Sequence, residues 1–494
     1  MPFHRGVIEA NGPTPSGIQP TLTDSKPTAR PPWRQAVPVA IASSAVFLGL
    51  YSLCNWLASL RSGIGTWQYA WERRIPFVPW MMLPYLSINV FFVTAFFLCT
   101  SRQELWTHFK RIVAANLIAA VCFLLFPLRM AAHRPDHFDG PLGPFVRFFY
   151  RFDRPYNLVP SLHIAQGLLV WIIFSRHTRP PIRWLVHGWF LLIGVSTLFT
   201  WQHAVPDLVA GWMLGMLCWW LFPDTHVSTE LPGQLRPECS IPSPRNYPVA
   251  WRWTAGAIIL VAFGFLLRPW GWLLAWPAFG AAMVAAAYFR LGPGVFRKTD
   301  GRLPIATRWV FFPVLVATRL ARFYLNRPSD QWVRVLPEVV IGRQLSGRAA
   351  RQLIEQEKIT AVLDLTAECG ECAALRRPPY LNIPLLDLTV PSANQFRAAV
   401  AFVREHGRRG TVYVHCALGY SRAAAVVAAY LIAERHADDV NAALHRIRQL
   451  RPQIVIRQNS ICALEAYQQL LSGDDSQSLQ LTVQLARQAQ PGAS

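Results

Sequence analysis

The sequence predicts a multi-pass α-helical membrane bundle followed by an α/β domain with a mainly parallel sheet flanked by helices. Three observations carry this prediction. Eight apolar stretches fill most of residues 37–292, and about 20 apolar residues cross a bilayer as a helix. Short strand-like and helix-like runs alternate from residue 330, the pattern of a parallel sheet covered by helices. A mean hydropathy of +0.23, with 20 Trp and 29 Phe, is too apolar for one soluble enzyme.

Residues 1–36, rich in Pro, Thr and Ser, read as a disordered cytoplasmic tail, because the apolar run that follows is late and long enough to span. Stretches near 37–60, 78–99, 111–130, 156–175, 184–200 and 203–222 form a six-span domain, 37–222. A linker rich in Pro and Ser, 223–248, separates it from two further transmembrane helices within 249–292. In the juxtamembrane segment 293–329, Arg308, Arg319, Arg322 and Arg327 flank apolar faces like those of a helix lying on a membrane surface. From 330 to 474, VRVLPEVVIG, ITAVLDL, YLNIPLL and GTVYVHC read as strands and five amphipathic runs as helices. The polar, Gln-rich residues 475–494 read as a flexible tail.

A formal charge of +21 is spread between apolar runs, not packed into one stripe, so anionic lipid and phosphate are the expected partners and nucleic acid is not. Nine cysteines without framework spacing predict no disulfide scaffold, and the single Cys369-x-x-Cys372 pair lacks the second pair that a metal site needs. The arginine bias places the N-terminus inside, and an even number of spans returns the last domain to the cytoplasmic side of an inner (plasma) membrane.

Two constellations carry chemistry. In VHCALGYSRAAA, 414–425, Cys416 and Arg422 are separated by five residues and set between a strand-like and a helix-like run. CSIPSPR, Cys239 to Arg245, has the same spacing, but its prolines remove backbone donors and no glycine, strand or helix frames it. At Cys416 the frame is complete. Gly419 permits close approach of backbone to a ligand, loop amides and a helix N-terminus surround a phosphoryl group, and Arg422 grips two of its oxygens. The same positive field, helped by His415, favours a thiolate.

These residues resemble the protein tyrosine and dual-specificity phosphatase superfamily, whose signature H-C-x5-R is met by His415, Cys416 and Arg422. The resemblance implies that Cys416 forms a phosphocysteine, Arg422 holds the phosphoryl group and Ser421 eases departure of the thiolate. It also requires an acid on a preceding loop, and Asp387 in NIPLLDLTVPS is placed to protonate the leaving oxygen. Asp364 is the competing carboxylate, but it lies within a strand-like run and reads as structure. Within the superfamily the likeness is to lipid-acting members of the mitochondrial phosphatidylglycerophosphate phosphatase type, through the Cys416 loop, LLDLTVPSANQF, and ALHRIRQLRPQIVIRQNS with Arg457 near its end. Ala417, Leu418 and Tyr420 carry no charge where phosphoinositide phosphatases present lysines, which suits a monoester on a lipid headgroup.

The second constellation lies in NLVPSLH, 157–163, and STLFTWQHAVPD, 196–207. His203 and Asp207 are one helical turn apart, so the carboxylate can orient the imidazole for attack on phosphorus, with His163 of the neighbouring span as general acid. These residues resemble the phosphatidic-acid-phosphatase type 2 superfamily, in which P-S-x-H is met by Pro160, Ser161 and His163. The second motif, S-R-x5-H-x3-D, is met by Ser196, His203 and Asp207. The likeness implies a phosphohistidine at His203 and phosphate held near Ser161. Thr197 replaces the motif's arginine and Pro127 stands where its lysine would, which makes this half more similar to the inositol-phosphorylceramide and sphingomyelin synthase branch. Arg129 or Arg134 would then supply the missing phosphate contact, which also accounts for arginines in an outward segment; the alternative reading of those arginines is a reversed topology.

Together these features imply a two-site hydrolase of phospholipid or isoprenoid-phosphate substrates, with the cysteine site inward, the histidine site outward and no metal or cofactor. The alternative is a lipid headgroup phosphotransferase with an accessory lipid or protein phosphatase domain. A regulatory protein with one dead site is the third possibility.

Overall fold

The computed structural model describes residues 33–130, 143–144, 156–224, 247–267, 270–325 and 331–488. The expected tail before residue 33, most of the linker, and Arg134 lie outside them. Each apolar stretch forms a helix: α1 (Trp33–Ser59), α2 (Met82–Leu98), α3 (Arg102–Leu125), α4 (Leu162–His177), α5 (Ile182–Phe199), α6 (Val205–Leu221), α7 (Tyr247–Leu266) and α8 (Ala275–Ala286). Helix α1 begins inside the stretch expected to be tail. Six helical segments among the described residues are long and apolar enough to cross a membrane. The other two expected spans, α4 and α6, have 16 and 17 residues and fall short of that length.

Both short helices start late for the same reason, a polar cap. The Ser161 hydroxyl accepts from the Ile164 amide at the start of α4, and Asp207 accepts from the Ala204 amide at the start of α6. The two helices then pack closely through Gly211 and Gly215 of α6. A Cβ at Gly211 would stand 2.4 Å from the Ser161 carbonyl, and one at Gly215 would stand 2.8 Å from Leu168. This is the small-residue spacing that lets helix backbones approach. At the far end of α4 and α6, buried Arg111 donates to the Phe222 carbonyl and pairs with Asp224 at 2.8 Å, which also takes Arg176 at 2.6 Å.

The segment expected as one surface helix is two, α9 (Ile305–Val310) and α10 (Phe312–Leu325). The break falls at Phe311, which is fully buried against Phe296, while Phe312, Leu320, Phe323 and Tyr324 of α10 stay exposed. VRVLPEVVIG, read as a single strand, is a hairpin of β1 (Trp332–Leu336) and β2 (Val339–Arg343). Pro337, which lacks an amide to extend a ladder, follows the first strand. Strands β3 (Ile359–Thr366), β4 (Tyr380–Leu385) and β5 (Thr411–Cys416) complete a five-stranded sheet of order β1-β2-β5-β3-β4, parallel except for the hairpin.

Helices α11 (Gly347–Glu357), α12 (Ala393–Gly407), α13 (Arg422–Ala433), α14 (Val440–Leu450) and α15 (Gln458–Gln488) flank the sheet. Helix α15 runs on through most of the expected flexible tail, whose Leu, Gln, Ala and Arg residues are good helix formers. Central strand β5 is buried along its whole length, and α13, behind it, is almost all Ala and Val facing the core.

The two halves meet at a buried ion pair. Lys298, between α8 and α9, donates to Asp364 on β3 at 2.5 Å and to the carbonyl and hydroxyl of Thr366 at 2.9 Å each. The paired Lys298 and Asp364 side chains are 1% and 0% exposed. Breaking one side of such a pair strands the other charge and costs about 3–5 kcal/mol. Lys298→Met is therefore expected to lower the melting temperature of the detergent-solubilised chain by several degrees, and adding Asp364→Asn to recover most of that loss. Gly211→Ala is expected to separate α4 from α6 and lower the melting temperature as well, a shift that the same measurement reads.

Candidate active site

The cysteine loop is built from the peptide planes outward. The Ala417 carbonyl accepts from the Gln344 amide at 3.3 Å, that of Leu418 from Arg451 at 3.4 Å, and that of Tyr420 from the Val455 amide at 3.0 Å. In a trans peptide the carbonyl and the next amide point opposite ways, so carbonyls tied outward turn the amides of Leu418, Gly419 and Ser421 inward. One of them is seen doing so, since the Gly419 amide donates to Cys416 Sγ at 3.2 Å. Gly419 has φ +75°, and a Cβ there would stand 2.5 Å from the Gly342 carbonyl. Only glycine fits both demands.

Arg422 opens α13 with its side chain 1% exposed. Its terminal nitrogens donate to Glu368 at 2.8 and 3.1 Å and to the Leu385 carbonyl at 2.6 Å. Its Nε is buried and has no hydrogen-bond partner in the structure, which leaves one donor of the fork for an oxyanion. Burial would raise the Glu368 carboxyl, but Arg422 beside it holds it below the ordinary carboxylate range. Asp387, half exposed on the loop after β4, has its Oδ1 3.4 Å from Arg422. Ser421 is half-buried at the turn into α13. Arg457 is exposed two residues beyond Val455, whose amide holds the loop at Tyr420.

His415 departs from its expected place. Successive side chains of β5 alternate faces, so Cys416 sits with Val412 and Val414 while His415 stacks on Tyr413 on the other face, 5.2 Å between ring centroids. There its Nε2 lies 3.2 Å from Glu371, off the hydrogen-bonding axis. Burial would lower the imidazole, but Asp364 and then Glu371 raise it. His415 is thus buried on the face of the sheet opposite Cys416. Asp364, Glu371 and His415 offer three possible ligand atoms within 4.8 Å of one another, and the Lys298 ammonium beside Asp364 already supplies a cation to that cluster.

Three contacts at this site lie outside the motif reading. Glu368 is the clamp on Arg422. Arg322 of α10 reaches Cys369 Sγ at 2.7 Å and Gln344 at 2.5 Å, securing the loop that follows Glu368. Tyr288 donates to the Asp387 carbonyl at 2.8 Å. The acidic pair in TAECGE, directly after a strand, was the available signal for Glu368.

The histidine constellation also comes together. His203 Nδ1 lies 3.3 Å from Asp207 Oδ2, and His163 stands in the first turn of α4, the helix whose start packs on Gly211 of α6. His163 stacks on Tyr85, with ring centroids 4.2 Å apart, and its Nε2 has no hydrogen-bond partner in the structure. Buried Glu72 accepts from the Val205 and Tyr69 amides at 2.6 Å each, holding the start of α6. Ser161 differs from expectation, because its amide is spent on the Asp207 carbonyl at 3.1 Å. Exposed Arg129 lies on a two-residue strand beside Gly65–Thr66, and its neighbour Leu128 bridges to Asn157. This brings Arg129 to the same end of the bundle as the histidines.

Residues 344–470 match the family of the dual specificity phosphatase catalytic domain. The chain is 35% identical over 172 residues to the phosphatidylglycerophosphate phosphatase PTPMT2 of Arabidopsis thaliana, covering 33% of this chain and 74% of that protein. It is 29% identical over 171 residues to the phosphatidylglycerophosphatase and protein-tyrosine phosphatase 1 of Homo sapiens, covering 32% and 85%. A crystal structure of PTPMT1 aligns at 24% identity with a TM-score of 0.28, over 30% of this chain and 99% of that one. With Cys416 seated in an amide-lined loop and Arg422 held beside it, the chain belongs to the dual specificity phosphatases and is a phosphoric monoester hydrolase of that type.

Proposed function

We propose that the chain is a multi-pass membrane enzyme whose cysteine site removes the terminal phosphate from a lipid headgroup of the phosphatidylglycerophosphate class. The observation that carries this reading is the orphaned, buried Nε of Arg422 beside the inward amides of the Cys416 loop. Cys416 Sγ attacks phosphorus while the bond to the lipid oxygen breaks, and Asp387 gives that oxygen its proton. The Asp387 carboxylate then takes a proton from water, the water oxygen attacks phosphorus, and the S–P bond breaks with the Ser421 hydroxyl supporting the returning thiolate. The lipid class is supported by both relatives being phosphatidylglycerophosphate phosphatases and by the uncharged Ala417, Leu418 and Tyr420. The apolar helices keep the domain at a bilayer surface, the inner face of a plasma membrane on the arginine argument.

The domain limits read from the sequence are part of this proposal, with α1 and α15 extending into the two expected tails. In its membrane half, 37–222, a phosphatidic-acid-phosphatase type 2 site uses His203 as nucleophile, Asp207 to orient it and His163 as acid, on the outer face. Arg129 and Arg134 are its proposed phosphate contacts, and Arg457 serves the inner site. The second reading, a headgroup phosphotransferase, is favoured by Thr197, whose carbonyl accepts from the Gln202 and His203 amides where the hydrolase motif places an arginine.

Purified full-length chain is expected to release phosphate from phosphatidylglycerophosphate vesicles. Cys416→Ser should reduce that rate by at least about a thousandfold, as loss of a nucleophile does, and His203→Ala should leave it unchanged. A Cys416→Ser variant that keeps most of its turnover of this lipid, or a His203→Ala variant that loses it, contradicts the assignment. With phosphatidic acid and an alcohol acceptor, free phosphate lost in His203→Ala marks a hydrolase, and headgroup exchange lost in the same variant marks a transferase.

A further inference from the structure

We propose that residues 287–303, which precede the family-matched domain, are a working part of the phosphatase site, with Tyr288 as a positioning residue for Asp387. The inference rests on Asp387 being the general acid, as proposed above. The Asp387 carboxylate is 55% exposed, so packing of its own side chain does little to place it. Its backbone must do so instead. The acid turns on a tight loop in which the Thr389 amide donates to the Leu386 carbonyl and Leu388 takes φ +61°. The Tyr288 hydroxyl holds that loop from outside, through the Asp387 carbonyl.

Tyr288 is itself set by unusual backbone. Ala287–Leu291 form a π-helical turn at the end of an apolar helical segment, closed by Gly292 at φ +67°, and such turns are frequent at functional sites. The residues next to the two catalytic loops are buried in the same place. Ala367, beside Glu368, and Leu386, beside Asp387, share one apolar cluster with Tyr288, Phe296 and Phe311. The Gly301 carbonyl accepts from the Glu371 amide at 2.6 Å. The loop that clamps Arg422 and the loop that bears the acid are thus both fastened to the membrane-side stem.

The test compares two aryl monoesters that differ in their need for an acid. Phenyl phosphate leaves as a poor anion and requires protonation, whereas a difluorinated umbelliferyl phosphate leaves without it. In the full-length chain, Tyr288→Phe is expected to lower kcat for phenyl phosphate about three- to tenfold, the weight of one hydrogen bond. KM should not change, and kcat for the umbelliferyl ester should stay within about twofold. Asp387→Asn should show the same selectivity more strongly. Partial unfolding scales both activities together and cannot imitate a selective loss. Equal losses on the two esters, or no loss, in Tyr288→Phe overturn the role of Tyr288 while a selective Asp387→Asn leaves the acid assignment standing. An unselective Asp387→Asn overturns that assignment and this inference with it.

Discussion

The buried guanidinium of Arg422 is the constraint around which the phosphatase half is organised. A cation almost without solvent must be met by acceptors, and it is met by Glu368, the Leu385 carbonyl and, at longer range, Asp387 and the Leu365 carbonyl. Those acceptors come from the ends of β3 and β4 and the loops that follow them, so the charge ties the C-terminal edge of the parallel sheet together. The edge is also where β5 delivers Cys416. One nitrogen of the fork remains without a protein partner, and the loop amides turn toward the same place. A tetrahedral dianion supplies the acceptors that this arrangement lacks.

The same logic extends backward into the helical half. Lys298 neutralises Asp364 inside the sheet, and Tyr288 and Gly301 bond the two loops that carry Asp387 and Glu371. Helix α6, which starts at the histidine constellation, ends in this region as well, where Trp220 donates to the Val295 carbonyl and packs on Phe311. The chain is therefore not a catalytic domain hung on a loose tether, because its stem is buried in the architecture of the site.

What was legible in the sequence was what is local. Strand, glycine loop and helix follow one another within twenty residues around Cys416, so their chemistry could be read from order alone, and the apolar runs announced helices α1 to α8. The contacts that were not legible join residues far apart: Glu368 and Arg422 are separated by 54 positions, and Tyr288 and Asp387 by 99. His415 shows a different limit. Its adjacency to Cys416 suggested a shared electrostatic role, whereas the two-residue period of a strand sends neighbouring side chains to opposite faces. The late starts of α4 and α6 were hidden by caps that hydropathy does not register.

The most direct measurement of the central claim is chemical trapping of the phosphoenzyme. Full-length chain quenched during turnover of a radiolabelled aryl phosphate, with the second step slowed by Ser421→Ala, should carry label on the peptide that contains Cys416. Label on the His203 peptide instead, or turnover without any label on Cys416, would contradict the account.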